Sequence, residues 1–117
     1  YGSREDHIVP IAGAYASTRH LPGPKRFVMG ASGHIAGVIN PARKGKRSHW
    51  VGSTEQFPPK LDGWLASATE RPGSWWTDWS EWLKGHAGAL VAAPKGYGNR
   101  TYKAIEPAPG RYVKVKA

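Results

Sequence analysis

Arg26-Phe-Val-Met-Gly-Ala31 is the stretch that decides how this chain folds. It is a short apolar run directly after the turn-rich Leu21-Pro-Gly-Pro24, and its length suits a strand buried on both faces better than a helix. Upstream of it, Ile8, Ile11, Ala12, Tyr15 and Ala16 recur at helical spacing. Pro10 fits the first turn of that helix, where its missing N–H is not needed. If Tyr1 ends a preceding strand, residues 1–31 form strand, helix and strand, and the connection is long enough for a parallel crossover. The expected class is α/β.

Downstream, Gly33-His-Ile-Ala-Gly37 is a glycine-interrupted loop that runs to Asn40-Pro41, where proline discourages a helix. Ser48-His-Trp-Val51 alternates enough to be a short strand, expected at a sheet edge. Leu61, Trp64, Leu65 and Ala68 mark one helix face after Pro58-Pro59, and Arg71-Pro72-Gly73 breaks that helix. Ser74 then caps a second helix that carries Trp75, Trp79 and Trp82 on one face and closes at Gly85. The expectation is a tryptophan-rich helical hairpin whose indoles serve packing. From Val91 on, Pro94, Gly96, Gly98, Pro107, Pro109 and Gly110 leave no helical period, so an extended tail is expected, with a strand over Arg111 to Val115. The regions divide at 1–52, 53–88 and 89–117, and no internal repeat is present.

A length of 117 residues with 39% hydrophobic content suits one modest core. Ten prolines and fifteen glycines are many for this length and point to a chain that is irregular in part. The absence of cysteine excludes disulfides, thiolate metal sites and a cysteine nucleophile within these residues. No apolar stretch approaches the roughly 18 residues of a membrane span. The opening Tyr1-Gly-Ser-Arg lacks both an initiator methionine and the layout of a signal peptide, and reads as a cut through a longer chain. A net charge of +9 favours anionic partners such as nucleic acid, anionic surfaces or nucleotide-bearing substrates, without choosing among them.

Asp6 and His34 each fall just past the carboxyl end of a proposed parallel strand, where open α/β sheets place catalytic groups. A carboxylate there can accept a hydrogen bond from imidazole Nδ1, fix the tautomer and leave Nε2 to take a proton from a nucleophile. The order Asp then His is that of α/β-hydrolases, in which the nucleophile comes earlier. No nucleophile elbow exists in these residues; Gly30-Ala-Ser-Gly33 is only a near miss. The plainer reading stands beside this one, with Asp6 as a helix cap and His34 as a surface residue. His7 is a candidate to orient Asp6 or line a substrate channel. Arg43, Lys44, Lys46 and Arg47 form a basic cluster that is either solvated surface or an attractor of phosphate. His20, His49 and His86 lack ligand-like spacing, so no metal is expected.

Ser3-Arg-Glu-Asp-His-Ile-Val-Pro10, the run from Phe27 through Gly33-His-Ile-Ala-Gly-Val-Ile-Asn-Pro41, and Gly73-Ser-Trp-Trp with Asp78-Trp79 closely resemble polyhydroxyalkanoate synthases. Ile105-Glu-Pro-Ala-Pro-Gly-Arg-Tyr-Val-Lys114 resembles the end of the class I enzymes, so the similarity covers essentially the whole chain. The resemblance implies the C-terminal portion of one α/β-hydrolase-like catalytic domain. It implies a Cys-His-Asp triad that polymerises (R)-3-hydroxyacyl-CoA, 3-hydroxybutyryl-CoA above all, into polyester with release of coenzyme A. The family's aspartate falls on Asp6, its histidine on His34, and its cysteine upstream of Tyr1. Coenzyme A then belongs to the substrate, and no separate cofactor is implied. The implied partners are the growing polyester, the granule surface with its associated proteins, and a second copy in a homodimer. The implied location is cytoplasmic, at polyester granules.

Two positions depart from the family pattern. Ile11 stands where an aromatic is expected, and Ala42 replaces a second proline after Asn-Pro, which leaves monomer chain-length preference open. Rival readings are an esterase or thioesterase of the same fold, and a basic nucleic-acid-binding module. The tryptophans cluster on a helix face instead of interleaving with the basic residues, which disfavours the module. The isolated 117 residues are expected to show no turnover. Without preceding strands, Phe27 and Val28 are expected to be exposed.

Overall fold

A computed structural model describes residues 1–116. They divide into two units, one of residues 1–87 and one from Gly88 onward. The first unit holds a mixed sheet of four strands among the described residues, in spatial order β1 (Gly2–Ser3), β2 (Val28–Gly30), β3 (Ser48–Val51) and β4 (Thr69–Pro72). β1 and β2 are parallel, and the two later pairings are antiparallel. The crossover from β1 to β2 carries the helix α1 (Ile11–Ala16). The class is α/β, as the apolar run and the helical spacing before it indicate.

Alternation along β2 sorts its side chains between two layers. Phe27 and Met29 meet Tyr15 of α1, Trp50 of β3 and Trp64 of α2 (Leu61–Ser67) in one buried cluster. Its rings meet edge to face, with centroids 5.1 Å apart for Tyr15 and Phe27 and 4.9 Å for Phe27 and Trp64. Such pairs add about 0.5–1.5 kcal/mol to what area burial contributes. The Tyr15 hydroxyl donates to the Pro58 carbonyl at 2.7 Å, which ties α1 to the segment entering α2. A six-residue helix is not stable by itself, so this packing is what holds α1. Val28 turns the other way, toward α3 (Trp76–Lys84).

α3 is anchored by a charge. Asp78 is its buried residue, and the Arg26 guanidinium grips both carboxylate oxygens, with Nε 3.0 Å from Oδ2 and Nη2 on Oδ1. Arg71 approaches Oδ1 at 3.6 Å from β4. Ser74 lies two residues before the start of the helix, whose N-cap is Trp75 and not the expected Ser74, and its hydroxyl accepts the Trp76 N–H at 3.0 Å.

Several expectations need correction. Ser48–Val51 is an interior strand; the edge is β4, which occupies the segment read as a helix break. All four β4 residues are exposed, so no apolar alternation marks it, and its Pro72 sits at the strand end where an edge tolerates proline. This strand separates α2 from α3, so there is no helical hairpin. Trp79 and Trp82 are half exposed and stay outside the core, with Trp79 against the Trp75 ring at a centroid distance of 5.5 Å and Trp82 against His86 at 4.4 Å. Phe27 and Val28 are buried, because β1 and β3 flank β2 and helices meet both faces. In the second unit, Gly98 and Lys103 form a single bridge, and the expected strand at 111–115 is instead one 3-10 turn at Tyr112–Lys114.

Candidate active site

Parallel pairing of β1 with β2 places their carboxyl ends side by side, and the two loops that leave them are stitched together by backbone bonds. Arg4 N–H donates to the Gly30 carbonyl at 2.8 Å, and Glu5 N–H to the Ser32 carbonyl at 3.1 Å. Asp6 and His34 therefore meet across the seam: His34 Nδ1 lies 2.8 Å from Asp6 Oδ2. The other carboxylate oxygen accepts the N–H groups of Ile8 and Val9, each at 2.9 Å. This turn precedes the helix, whose N-cap is Pro10, so Asp6 shapes the entry to α1 without capping it.

These bonds set the protonation states. The Val9 N–H most of all, then the His34 bond and the Ile8 N–H, hold the Asp6 carboxyl down from its ordinary 3.8 to about 2, against the opposing effect of burial. Near neutrality the carboxylate is ionised and can only accept, so Nδ1 of His34 carries the proton and donates it. Nε2 is then the basic nitrogen. The His34 side chain is 41% exposed, and among the described residues nothing hydrogen-bonds to Nε2. The pair can accept a proton at Nε2 and stabilise the resulting imidazolium through Asp6.

The His34 loop is made by unusual backbone. Ser32 adopts φ 82°, a left-handed conformation that costs a residue with a side chain about 1 kcal/mol or more. Gly37 N–H closes a turn onto the Gly33 carbonyl at 2.8 Å. A Cβ on Gly37 would lie 2.5 Å from Ser3 Oγ and 2.8 Å from that carbonyl, so glycine is required there. Two residues that local reading could not connect to the loop also hold it. The Trp75 indole N–H lies 3.1 Å from the Gly37 carbonyl, and the Trp76 indole N–H 2.8 Å from the Val38 carbonyl. The Gly73-Ser-Trp-Trp motif was the available signal, but helical spacing assigns those rings to packing.

The remaining candidates lie apart from this bond. His7 is exposed and makes no side-chain hydrogen bond among the described residues. Arg43 and Lys44 belong to a 3-10 turn, Ala42–Lys44, with Lys46 and Arg47 just beyond it. All four are exposed, and none forms an ion pair among the described residues. A cavity of about 350 Å³ lined by Tyr1, Val28, Trp75, Trp79 and Trp82 includes neither Asp6 nor His34.

No family model matches the chain. It is 64% identical over 117 residues to the poly(3-hydroxyalkanoate) polymerase subunit PhaC of Cupriavidus necator, matching all of this chain and 20% of that protein. It is 44% identical over 111 residues to the subunit of the same name from Rhizobium etli, covering 95% of this chain and 17% of that protein. Against poly(3-hydroxyalkanoate) polymerase 2 of Ectopseudomonas oleovorans it is 40% identical over 108 residues, 92% of this chain and 19% of the relative. The chain thus spans about a fifth of the length of these curated relatives. Similarity of this extent, held across nearly every residue and in several organisms, makes the chain a member of the poly(3-hydroxyalkanoate) polymerase family.

Proposed function

We propose that this chain is the C-terminal part of the α/β-hydrolase-like catalytic domain of a class I polyhydroxyalkanoate synthase. In this reading it supplies two members of a Cys-His-Asp triad, with the cysteine outside these residues. The reaction is chain-growing acyl transfer from (R)-3-hydroxyacyl-CoA, with 3-hydroxybutyryl-CoA as the foremost donor. The single observation that supports this most is the 2.8 Å bond between His34 Nδ1 and Asp6 Oδ2, which leaves Nε2 bare.

His34 Nε2 takes the proton of the cysteine thiol, and the thiolate attacks the thioester carbonyl of the acyl-CoA. The tetrahedral intermediate expels the coenzyme A thiolate, which recovers the proton from Nε2. In the second half, Nε2 takes the proton of a hydroxyl on the incoming monomer or growing chain. That oxygen attacks the acyl-cysteine, and the cysteine thiolate leaves and is reprotonated. Asp6 stabilises the imidazolium in both halves. Coenzyme A enters as part of the substrate, and the exposed cluster of Arg43, Lys44, Lys46 and Arg47 is the candidate to attract its phosphates. His7 takes a supporting role beside Asp6.

The parent enzyme is assigned to the cytoplasm at the surface of polyester granules, working as a homodimer with granule-associated proteins. No helix among the described residues is long and apolar enough to cross a membrane. The test is His34→Ala in the full-length polymerase, with far-ultraviolet circular dichroism as the fold control. Polymer formation should be abolished with the spectrum unchanged; near-normal polymerisation would refute the assignment. Product analysis of the unaltered enzyme decides against the hydrolase reading: polyester supports acyl transfer to a hydroxyl, whereas free hydroxyacid as the main product means transfer to water.

A further inference from the structure

We propose that Trp75 and Trp76 are positioning residues for His34, acting through their indole N–H groups and not through the burial of their rings. The proposal rests on the reading of His34 as the general base.

The loop that carries His34 is built from short turns, with Gly37 N–H on the Gly33 carbonyl at 2.8 Å and Ile39 N–H on the Ile35 carbonyl at 2.9 Å. Gly33 and Gly37 add backbone freedom on either side, and Ser32 sits in a strained conformation. Past the turn between Gly33 and Gly37, the carbonyls of Gly37 and Val38 face the start of α3. There the Trp75 Nε1–H is shared between them, at 3.1 Å from Gly37 O and 3.3 Å from Val38 O, and the Trp76 Nε1–H meets Val38 O at 2.8 Å. Indole nitrogen is a donor only, so each ring can serve these carbonyls in just one way. Successive residues on a helix point about 100° apart, so two neighbouring indoles reach one carbonyl only if the loop straddles the helix start.

The donors are themselves fixed. Trp75 stacks on Tyr1, with centroids 4.2 Å apart and planes at 27°. Asp78, two residues beyond Trp76, is gripped by Arg26 and approached by Arg71. A continuous set of bonds therefore runs from Arg26 through Asp78 and α3 to the indoles. From there it passes through the Gly37 and Val38 carbonyls and the Gly37 N–H to Gly33, the neighbour of His34. Burial is a poor explanation of this pair. Trp79 and Trp82 stand on the same helix half exposed, and among the described residues neither indole N–H donates to the loop.

The test uses full-length polymerase with Trp75→Phe, Trp76→Phe and the double substitution, which keep an aromatic ring and remove the donor. Trp79→Phe is the control, and the melting temperature of each variant is recorded. The expected result is a fall in kcat of about three- to tenfold for each single variant, larger for the pair, from the loss of one or two hydrogen bonds. KM for the acyl-CoA should move less than about twofold, since the loop is mispositioned for chemistry and not for binding. The downfield proton resonance of His34 Nδ1–H should broaden in the same variants. Trp79→Phe should leave all three unchanged.

Normal kcat in the double variant overturns the proposal, as does an equal loss in Trp79→Phe or a loss that falls on KM alone. If Trp75→Phe melts early, Trp76→Phe alone carries the comparison, because its bond is made at an exposed position. His34→Ala in the same assay separates the two levels. Retained activity there removes the reading of His34 itself, whereas an inactive His34→Ala beside a normal double tryptophan variant removes only the positioning role.

Discussion

The loop after β2 and the middle of β3 each hold a histidine with Nδ1 hydrogen-bonded and Nε2 bare, yet only one has the carboxylate partner and the exposure that the proposed base requires. His34 gives its Nδ1 proton to a carboxylate at 2.8 Å and has a side chain 41% exposed. His49 sets its Nδ1 3.1 Å from the carbonyl of Gly73 and is 2% exposed, with Nε2 buried and without a partner among the described residues. A carbonyl fixes a tautomer as well as a carboxylate does, but it offers no charge to stabilise an imidazolium. A buried Nε2 also meets no substrate. Under the proposed function, what separates the base from the structural histidine is the ionised partner together with access, and a free ring nitrogen by itself decides nothing.

The largest effect expected from breaking this contrast is at Asp6. Asp6→Asn in the full-length polymerase keeps the shape but lets the amide donate to Nδ1, which stabilises the wrong tautomer. Polymerisation should fall about a thousand- to ten-thousandfold in a coenzyme A release assay. A loss below about tenfold would mean that His34 needs no charged partner.

A smaller effect should appear in stability against pH. The folded chain keeps Asp6 ionised down to about 2, below the ordinary 3.8 that an unfolded chain would show, so the native state binds this proton less readily. Its stabilisation is complete above about pH 4 and is lost as pH falls through about 2. Denaturant melts of the wild type and Asp6→Asn at stepped pH should run parallel near neutrality and close on one another across that acid window, as the wild type loses the contribution of the ionised carboxylate that the variant lacks. Parallel curves throughout would show that the bonds to Val9, Ile8 and His34 do not hold the carboxylate.

The smallest effect is expected at His49. His49→Leu gives up one hydrogen bond to Gly73 O and also relieves an unpaired buried nitrogen, terms of about 1 and about 1–3 kcal/mol with opposite sign. The net change in unfolding free energy should stay within about 2 kcal/mol. The rate of coenzyme A release should remain within about twofold of wild type. A loss of activity at unchanged stability would give His49 a role that its burial denies.

The two histidines also show what local sequence carries. The β2 run from Phe27 and the helical spacing around Tyr15 announce the parallel unit because apolar period and turn residues are properties of neighbours. That unit is enough to bring the Asp6 and His34 loops to one end of the sheet. β4 is invisible for the opposite reason: Thr69-Glu-Arg-Pro72 is exposed on both faces, and only pairing with β3 makes it a strand. Spacing puts Trp64 and Trp79 alike on apolar helix faces, but whether a face is covered depends on elements far away in the chain. Trp64 is sealed in the core while α3 turns inward by Asp78. The clamp of Trp75 and Trp76 on the His34 loop joins residues 37 and 38 positions apart, and no local pattern encodes it.

The most direct test sets the two histidines side by side in full-length polymerase. Coenzyme A release from an (R)-3-hydroxyacyl-CoA is measured for His34→Ala and His49→Leu at matched folded concentration. Release should be abolished in His34→Ala and nearly intact in His49→Leu. Substantial release by a folded His34→Ala enzyme would contradict the assignment of the Asp6 and His34 pair.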